Sequence, residues 1–186
     1  YNMPIKTPLC DFGQIAKSFE LKSTNNKIIS LNDVRGANGT LIMFICNHCP
    51  YVIAVIKDII KDCKNLEKLG IKAIAICSND SINYPDDSFD KMVEFHNDHN
   101  FNFPYLIDET QKVAKDYGAV CTPDFFGFNR NLELQYRGRI RELKNLIPVR
   151  SIESDLFKAM KLISETNVGP KEQISSMGCS IKWLGN

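Results

Sequence analysis

The sequence predicts a single α/β domain in which a central mixed β-sheet is flanked by helices. Three observations indicate this class: apolar runs of strand length at 41–46 and 71–77, an amphipathic helical pattern between them, and a later hairpin followed by a last helix. The 186 residues are 44% hydrophobic and 24% charged, a composition that suits one closed core. We expect one domain over 1–186, with a core at about 15–165 and a C-terminal tail at 166–186.

The first half of the chain predicts a hairpin, a buried strand and a long helix. Residues 19–31 alternate around Asn25-Asn26, which indicates an N-terminal β-hairpin extension. Residues 41–46 are continuously apolar, as in a central strand buried on both faces. Pro50 suits the first turn of a helix, and Gly70 suits its C-terminal end. One helical face between them is formed by Val52, Val55, Ile56, Ile59, Ile60, Cys63, Leu66 and Leu69.

The second half predicts alternating strands and helices. In order, the pattern indicates a strand at 71–77, a polar loop at 78–87, a helix at 88–99, a strand at 104–107, a helix at 109–117, strands at 125–128 and 134–139, and a helix at 152–163. Gly118 closes the third of the four helices, and Gly169-Pro170 opens the tail. The resulting order is hairpin, β, α, β, α, β, α, β, β, α.

The charge balance excludes a surface built for polyanions. The chain carries 23 basic and 22 acidic side chains, for a formal net charge of +1. We therefore expect no nucleic-acid or membrane partner. No apolar run is long enough to span a bilayer, and the N-terminus lacks a secretory pattern, so the expected location is cytoplasmic. No bound metal and no other cofactor are expected.

A Cys-x-x-Cys motif marks the junction between the central strand and the long helix. Four residues in a helical turn bring Cys46 and Cys49 within disulfide range, and the first turn of a helix stabilises a thiolate. The first cysteine of such a pair is normally the more exposed, so we expect Cys46 to attack and Cys49 to resolve. The alternatives are two unreactive core cysteines, or half of a zinc site whose second Cys-x-x-Cys is missing from this sequence.

Four segments together resemble the peroxiredoxin-like branch of the thioredoxin-like superfamily, the redoxins of AhpC/TSA type. They are Cys46–Tyr51, Cys121–Phe126, Tyr136–Gly138 and Gly178–Trp183. The resemblance covers nearly the full length and implies a thioredoxin-like fold. It also implies that Thr122-Pro123 is a cis-proline loop that faces the two cysteines and presents backbone to a substrate.

The resemblance suggests roles for four further side chains. His48 occupies a slot that holds histidine in disulfide isomerases, where it stabilises the reduced form; the alternative is a solvated turn histidine. Arg137 resembles the arginine that peroxiredoxins hold near the thiolate, although an arginine on a hairpin strand is more often solvated. Cys121 and Cys179 are possible additional redox partners, or else packing residues.

Three functions fit these residues. The leading hypothesis is a thiol–disulfide oxidoreductase that acts on protein disulfides or small thiols, with a reducing partner protein. The second is a thiol peroxidase resolved by Cys121 or Cys179. It is disfavoured because Met43 and Cys46, three residues before Cys46 and Cys49, replace the threonine of the peroxidatic motif. The third is a copper-binding or copper-delivery protein that uses the cysteine pair and a histidine. The oligomeric state is left open.

Overall fold

A computed structural model describes residues 3–185 of the chain as a mixed α/β fold. Its helices are α1 (Leu31–Val34), α2 (Pro50–Ile53), α3 (Ile56–Glu67), α4 (Phe89–His99), α5 (Lys112–Tyr117) and α6 (Asp155–Thr166). Its strands are β1 (Ile5–Lys6), β2 (Glu20–Ser23), β3 (Ile28–Ser30), β4 (Gly39–Phe44), β5 (Ile71–Cys77), β6 (Tyr105–Ile107), β7 (Cys121–Thr122), β8 (Asp124–Phe128), β9 (Leu134–Tyr136), β10 (Leu143–Lys144), β11 (Ile147–Pro148) and β12 (Met177–Ser180).

A seven-stranded mixed sheet forms the centre of the fold. Its strand order is β3-β2-β6-β5-β4-β8-β9, with β4, β5 and β6 parallel and the other neighbours antiparallel. The helical connections that follow β4 and β5 are what parallel neighbours require. The predicted fold class and the N-terminal hairpin are therefore confirmed.

Strand β4 divides the hydrophobic core into two halves. All six of its residues are buried. Leu41 and Met43 pack on the face covered by α3 and α6, and Ile42 and Phe44 pack on the opposite face with residues of α1 and α5. This arrangement confirms the prediction of a strand buried on both faces.

Two boundaries near the cysteines differ from the prediction. Strand β4 ends at Phe44, so Cys46 lies in the following loop rather than at the end of the strand. The single long helix is interrupted between α2 and α3 at Val55, whose φ of −117° and ψ of 3° are not helical. The apolar spacing continues through this break because Val52, Val55 and Ile56 are all buried.

The segment after α6 contains a strand that the sequence pattern did not indicate. Strand β12 pairs antiparallel with β1 on one side and β7 on the other, which places Cys179 opposite Thr122. Gly178 is required at this crossing, since an added Cβ would lie 2.0 Å from the Thr122 carbonyl oxygen. The C-terminal segment is therefore packed over the cis-proline loop.

No helix in the described part of the chain, residues 3–185, combines the length and apolar character needed to cross a bilayer.

Candidate functional site

Two buried cysteines meet where β4 leads into α2. Cys46 lies two residues beyond the strand, and Cys49 is the N-cap residue of α2, with Pro50 at the first helical position. Their side chains share a hydrogen bond. Each residue is only 1% exposed, so the sequence-based expectation that Cys46 is the more exposed of the two is not met.

The cis-proline loop faces the two sulfurs. The Thr122-Pro123 peptide bond is cis, as predicted. The Thr122 hydroxyl lies 3.5 Å from Cys46 Sγ, and in its protonated form Cys49 donates a hydrogen bond to the Thr122 carbonyl oxygen at 3.3 Å. Thr122 is 2% exposed. One residue therefore contacts both thiols from across the sheet edge.

The two thiols have opposite electrostatics. The hydrogen bond from Cys46 lowers the pKa of Cys49 to about 5, against the effect of burial, and hydrogen bonds from Thr122 and Cys179 act in the same direction. The same Cys46–Cys49 hydrogen bond, burial and the negative charge of Asp87 raise the pKa of Cys46 well above its usual range. These contacts therefore favour a thiolate on Cys49 and disfavour one on Cys46.

A buried carboxylate, Asp87, organises the loop between the cysteines. Its Oδ1 accepts a hydrogen bond from the Asn47 backbone N–H at 2.9 Å and lies 3.0 Å from His48 Nδ1. Its Oδ2 accepts a hydrogen bond from the Asn79 side chain at 2.8 Å. Tyr105 donates to Asn47 Oδ1 at 2.7 Å, which fixes the same loop from the other side. Asp87 thus holds the backbone of the motif in place.

His48 is half-buried beside Asp87 rather than solvated. The hydrogen bond to Asp87 raises the pKa of the imidazole, although burial acts in the opposite direction. The Cys46 sulfur, a His48 ring nitrogen and an Asp87 carboxylate oxygen lie within 4.8 Å of one another. This group can exchange protons with Cys46, and the same donor types bind zinc or copper.

The sequence pattern places Asp87 in a polar loop and gives it no role at the site. A signal was available: β4 and β5 are parallel neighbours, so the loops that follow them emerge at the same edge of the sheet. Polar residues after β5 therefore lie near a motif that follows β4.

The other two candidate cysteines lie on either side of this centre. Cys179, 6% exposed on β12, shares a hydrogen bond with Cys49, and burial raises its pKa to about 12. Cys121 is fully buried on β7, where its sulfur lies 3.6 Å from the Pro123 carbonyl oxygen, and burial raises its pKa as well. Of the two, Cys179 has the direct contact with the pair.

Arg137 is engaged away from the thiols. Its guanidinium forms a two-pronged ion pair with Asp124, at 3.2 and 2.9 Å, and its centre lies 4.4 Å from the ring centroid of Phe126. It is buried rather than solvated, but the groups with the largest effects on the Cys46 and Cys49 pKa values are others. The expected contact with the thiolate is thus replaced by a structural ion pair.

The strand order, the paired thiols and the cis-proline loop together define a thioredoxin-like protein. Within that class the chain belongs to the AhpC/TSA family, whose sequence model matches residues 12–142. This confirms the redoxin resemblance and supports an oxidoreductase role at the level of class. No curated protein sequence matches the chain significantly.

Solved structures share this fold. The chain is similar to an uncharacterized conserved protein from Geobacillus kaustophilus, with 35% identity, a TM-score of 0.94 and coverage of 100% of this chain and 99% of that one. It is also similar to a hypothetical protein from Sinorhizobium meliloti 1021, with 29% identity, a TM-score of 0.88 and coverage of 97% and 98%. A putative thiol:disulfide interchange protein DsbE from Chlorobium tepidum shares the fold at 15% identity, with a TM-score of 0.61 and coverage of 83% and 97%.

Proposed function

We propose that this chain is a thiol–disulfide oxidoreductase that cycles Cys46 and Cys49 between the dithiol and the disulfide. The observation that carries the proposal is the hydrogen-bonded thiol pair, in which one pKa is lowered and the other raised. Such a pair places a thiolate, the nucleophile of the first thiol–disulfide exchange, beside a protonated thiol that can act in the second exchange.

The proposal reverses the roles expected from the sequence, in which Cys46 attacks. Cys49 is the sulfur that receives hydrogen bonds, from Cys46, Thr122 and Cys179, and these favour its thiolate. Cys46 faces the carboxylate of Asp87, and the like charge disfavours ionisation there. We therefore assign the attack to Cys49 and the resolving step to Cys46.

Two exchanges complete the reaction. The Cys49 thiolate attacks one sulfur of the substrate disulfide, the substrate S–S bond breaks, and the departing thiolate takes up a proton. Cys46 then passes its proton to the Asp87–His48 pair and attacks the Cys49 sulfur in the mixed disulfide. The second substrate thiolate leaves, and the pair has given two electrons to the substrate. A reducing partner with a dithiol would restore the starting state.

Cysteine variants test this proposal. With dithiothreitol as reductant and a small aromatic disulfide as substrate, Cys49→Ser should lose all activity. Without dithiothreitol, the double variant Cys46→Ser and Cys179→Ser should retain a mixed disulfide between Cys49 and the substrate that is detectable by mass spectrometry. Cys10→Ser is the matched control, because this half-buried cysteine interacts with Arg137 and Gln173 rather than with the pair. Full activity of Cys49→Ser would overturn the proposal.

Cys179 is proposed as a second disulfide partner for Cys49, supported by their side-chain hydrogen bond. In Cys46→Ser, mild oxidation should then produce a Cys49–Cys179 disulfide in peptide maps. The double variant Cys46→Ser and Cys179→Ser should form no such internal disulfide at Cys49 under the same treatment. A map of the oxidised Cys46→Ser protein in which Cys179 stays free would remove this role. For Cys121 the contact with the Pro123 carbonyl favours packing.

Peroxide reduction is the second candidate activity. The Thr122 hydroxyl beside Cys46 supplies, from another strand, a hydroxyl that the motif itself lacks. Against this candidate, Arg137 is held by Asp124. Stopped-flow measurement of hydrogen peroxide reduction by the reduced protein separates the two activities. A rate no faster than that of free cysteine would exclude the peroxidase.

Metal binding is a third candidate, favoured by the convergence of Cys46, His48 and Asp87. A sulfur, an imidazole and a carboxylate would suit Zn²⁺, and the sulfur with the imidazole would suit copper. Metal content of protein purified under reducing conditions tests it, with Asp87→Asn as the variant that should lose the metal. Metal-free protein that also fails to take up added Zn²⁺ would exclude this function.

A further inference from the structure

A cleft of about 530 Å³ lies next to the cis-proline loop. Its lining includes Pro123 and Tyr51, residues 139–141, residues 174–177, and residues of β10 and the turn that follows it. Pro123 follows the residue whose carbonyl contacts Cys49, and Tyr51 lies two residues after Cys49. The cleft has the size of a site for a small molecule.

The lining of the cleft combines apolar surface with positive charge. Its cationic residues are Lys6, Arg139 and Arg141, and none of its described lining residues is acidic. Arg139 is held by Asp155 at 2.7 Å, whereas Lys6 is exposed and has no ion pair within residues 3–185. The apolar part includes Val55, Ile140, Leu143, Leu146 and Ile174. A ligand that matches this lining has an apolar body and an anionic group.

Arg141 adds a buried cationic group whose hydrogen bonding is incomplete. The side chain is 9% exposed, and its Nε is buried without a hydrogen-bond partner. Its Nη1 donates to Val149 O and Ser151 Oγ, both at 3.0 Å. The nearest carboxylate oxygen, of Asp58, is 3.9 Å from Nε and accepts instead from Arg150 at 2.7 Å. A buried charged donor of this kind is costly unless an acceptor completes it.

We propose that this cleft binds a low-molecular-weight disulfide or thiol that carries carboxylates, with its sulfur at the Pro123 end and a carboxylate near Arg141 and Lys6. The proposal rests on the proposed disulfide reductase function and names its substrate class. A small substrate also suits thiols that are 1% exposed, since a protein disulfide would need a larger opening. In the reaction, the substrate S–S bond is reduced to two thiols while Cys46 and Cys49 are oxidised to a disulfide.

Three disulfides of similar length but different charge test the substrate class. They are 3,3′-dithiodipropionate, its dimethyl ester and cystamine, which carry two negative, no and two positive charges. The rate at which each oxidises the reduced protein is divided by its rate with dithiothreitol, which corrects for intrinsic reactivity. We expect the dianion to be favoured by about tenfold over the ester. This preference should shrink in 0.5 M salt, because exposed Lys6 is screened.

Variants of the charged residues test whether the preference for the dianion over the ester arises in the cleft. Arg141→Gln should abolish most of this preference, and Lys6→Gln should reduce it about twofold to threefold. Lys27→Gln is the matched control, since it removes an exposed positive charge outside the cleft and should leave the preference unchanged. Lys6 is exposed, so its replacement keeps the proposal testable even if Arg141→Gln fails to fold. Equal corrected rates for the three disulfides, or equal effects of Lys6→Gln and Lys27→Gln, would overturn the proposal.

A ligand without a disulfide bond tests binding in the cleft independently of disulfide reduction. Octanedioate has the same chain length and charges as 3,3′-dithiodipropionate but no S–S bond. It should bind the wild-type protein in calorimetry, bind more weakly to Lys6→Gln, and compete with the dianionic disulfide. Binding of octanedioate without any disulfide reduction would refute the proposed function alone. Disulfide reduction without octanedioate binding would refute the cleft proposal alone.

Discussion

The ionisation of Cys49 is the most direct test of the site's electrostatics. The contacts of Cys49 lower its pKa from an ordinary value of 9.0 to about 5. Thiolate absorbance at 240 nm, recorded against pH on the reduced protein, should show one group titrating near pH 5. Cys46 should not contribute below pH 9, because its pKa is raised.

Removing the Cys46 thiol should raise the pH at which Cys49 is half ionised. The hydrogen bond from Cys46 is the largest cause of the lowered pKa of Cys49. A hydrogen bond to a charged group contributes about 1.5–3 kcal/mol, so Cys46→Ala should raise the midpoint by about one to two pH units. Cys63→Ala is the control, because burial already raises the pKa of that thiol out of the titrated range.

The same shift predicts a pH dependence of stability. Between about pH 5 and 9 the folded reduced protein binds fewer protons at Cys49 than the unfolded chain does. The free energy of unfolding should therefore rise with pH across this window, and this contribution is lost as the pH falls through 5. A native midpoint above pH 8, or alkylation at neutral pH that maps to Cys46 before Cys49, would refute the assignment.

Three further substitutions test other parts of the structure. Asp62→Asn should raise the free energy of unfolding at pH 7 by about 1–3 kcal/mol. Burial raises the pKa of Asp62 to about 6, so the charge on this carboxylate lowers the stability of the protein as the pH rises from 4 to 6. Urea titrations at pH 4 and 7 measure this effect, and a variant that is less stable than the wild type at pH 7 contradicts it. Asp87→Asn should lower the pKa of His48, and an unchanged NMR titration would show that their hydrogen bond has no such effect. Gly178→Ala should lower the free energy of unfolding by about 2 kcal/mol or more and speed alkylation of the buried thiols, because the added Cβ would clash with the Thr122 carbonyl oxygen. An unchanged Tm would contradict this clash.

Local pattern was sufficient for most of the sheet. Strands β4 and β5 are apolar runs with helices between them, and such segments are buried whatever their neighbours are. Strand β12 is different, because Met177-Gly178-Cys179-Ser180 has no apolar alternation and pairs with β7, more than fifty residues earlier in the chain. The break between α2 and α3 was equally hidden, since apolar spacing runs through it.

The motif spacing predicted a Cys-x-x-Cys pair at a strand-to-helix junction, and the family resemblance implied a thioredoxin-like redoxin with a cis Thr122-Pro123 bond opposite. Motif spacing and apolar runs are local properties, so they can be recognised from the sequence without a structure. The relative acidity of the two thiols depends on the tertiary structure, because Asp87, Thr122 and Cys179 come from three distant parts of the chain. A pKa reports the sum of burial, nearby charges and hydrogen bonds, and folding alone brings those groups together.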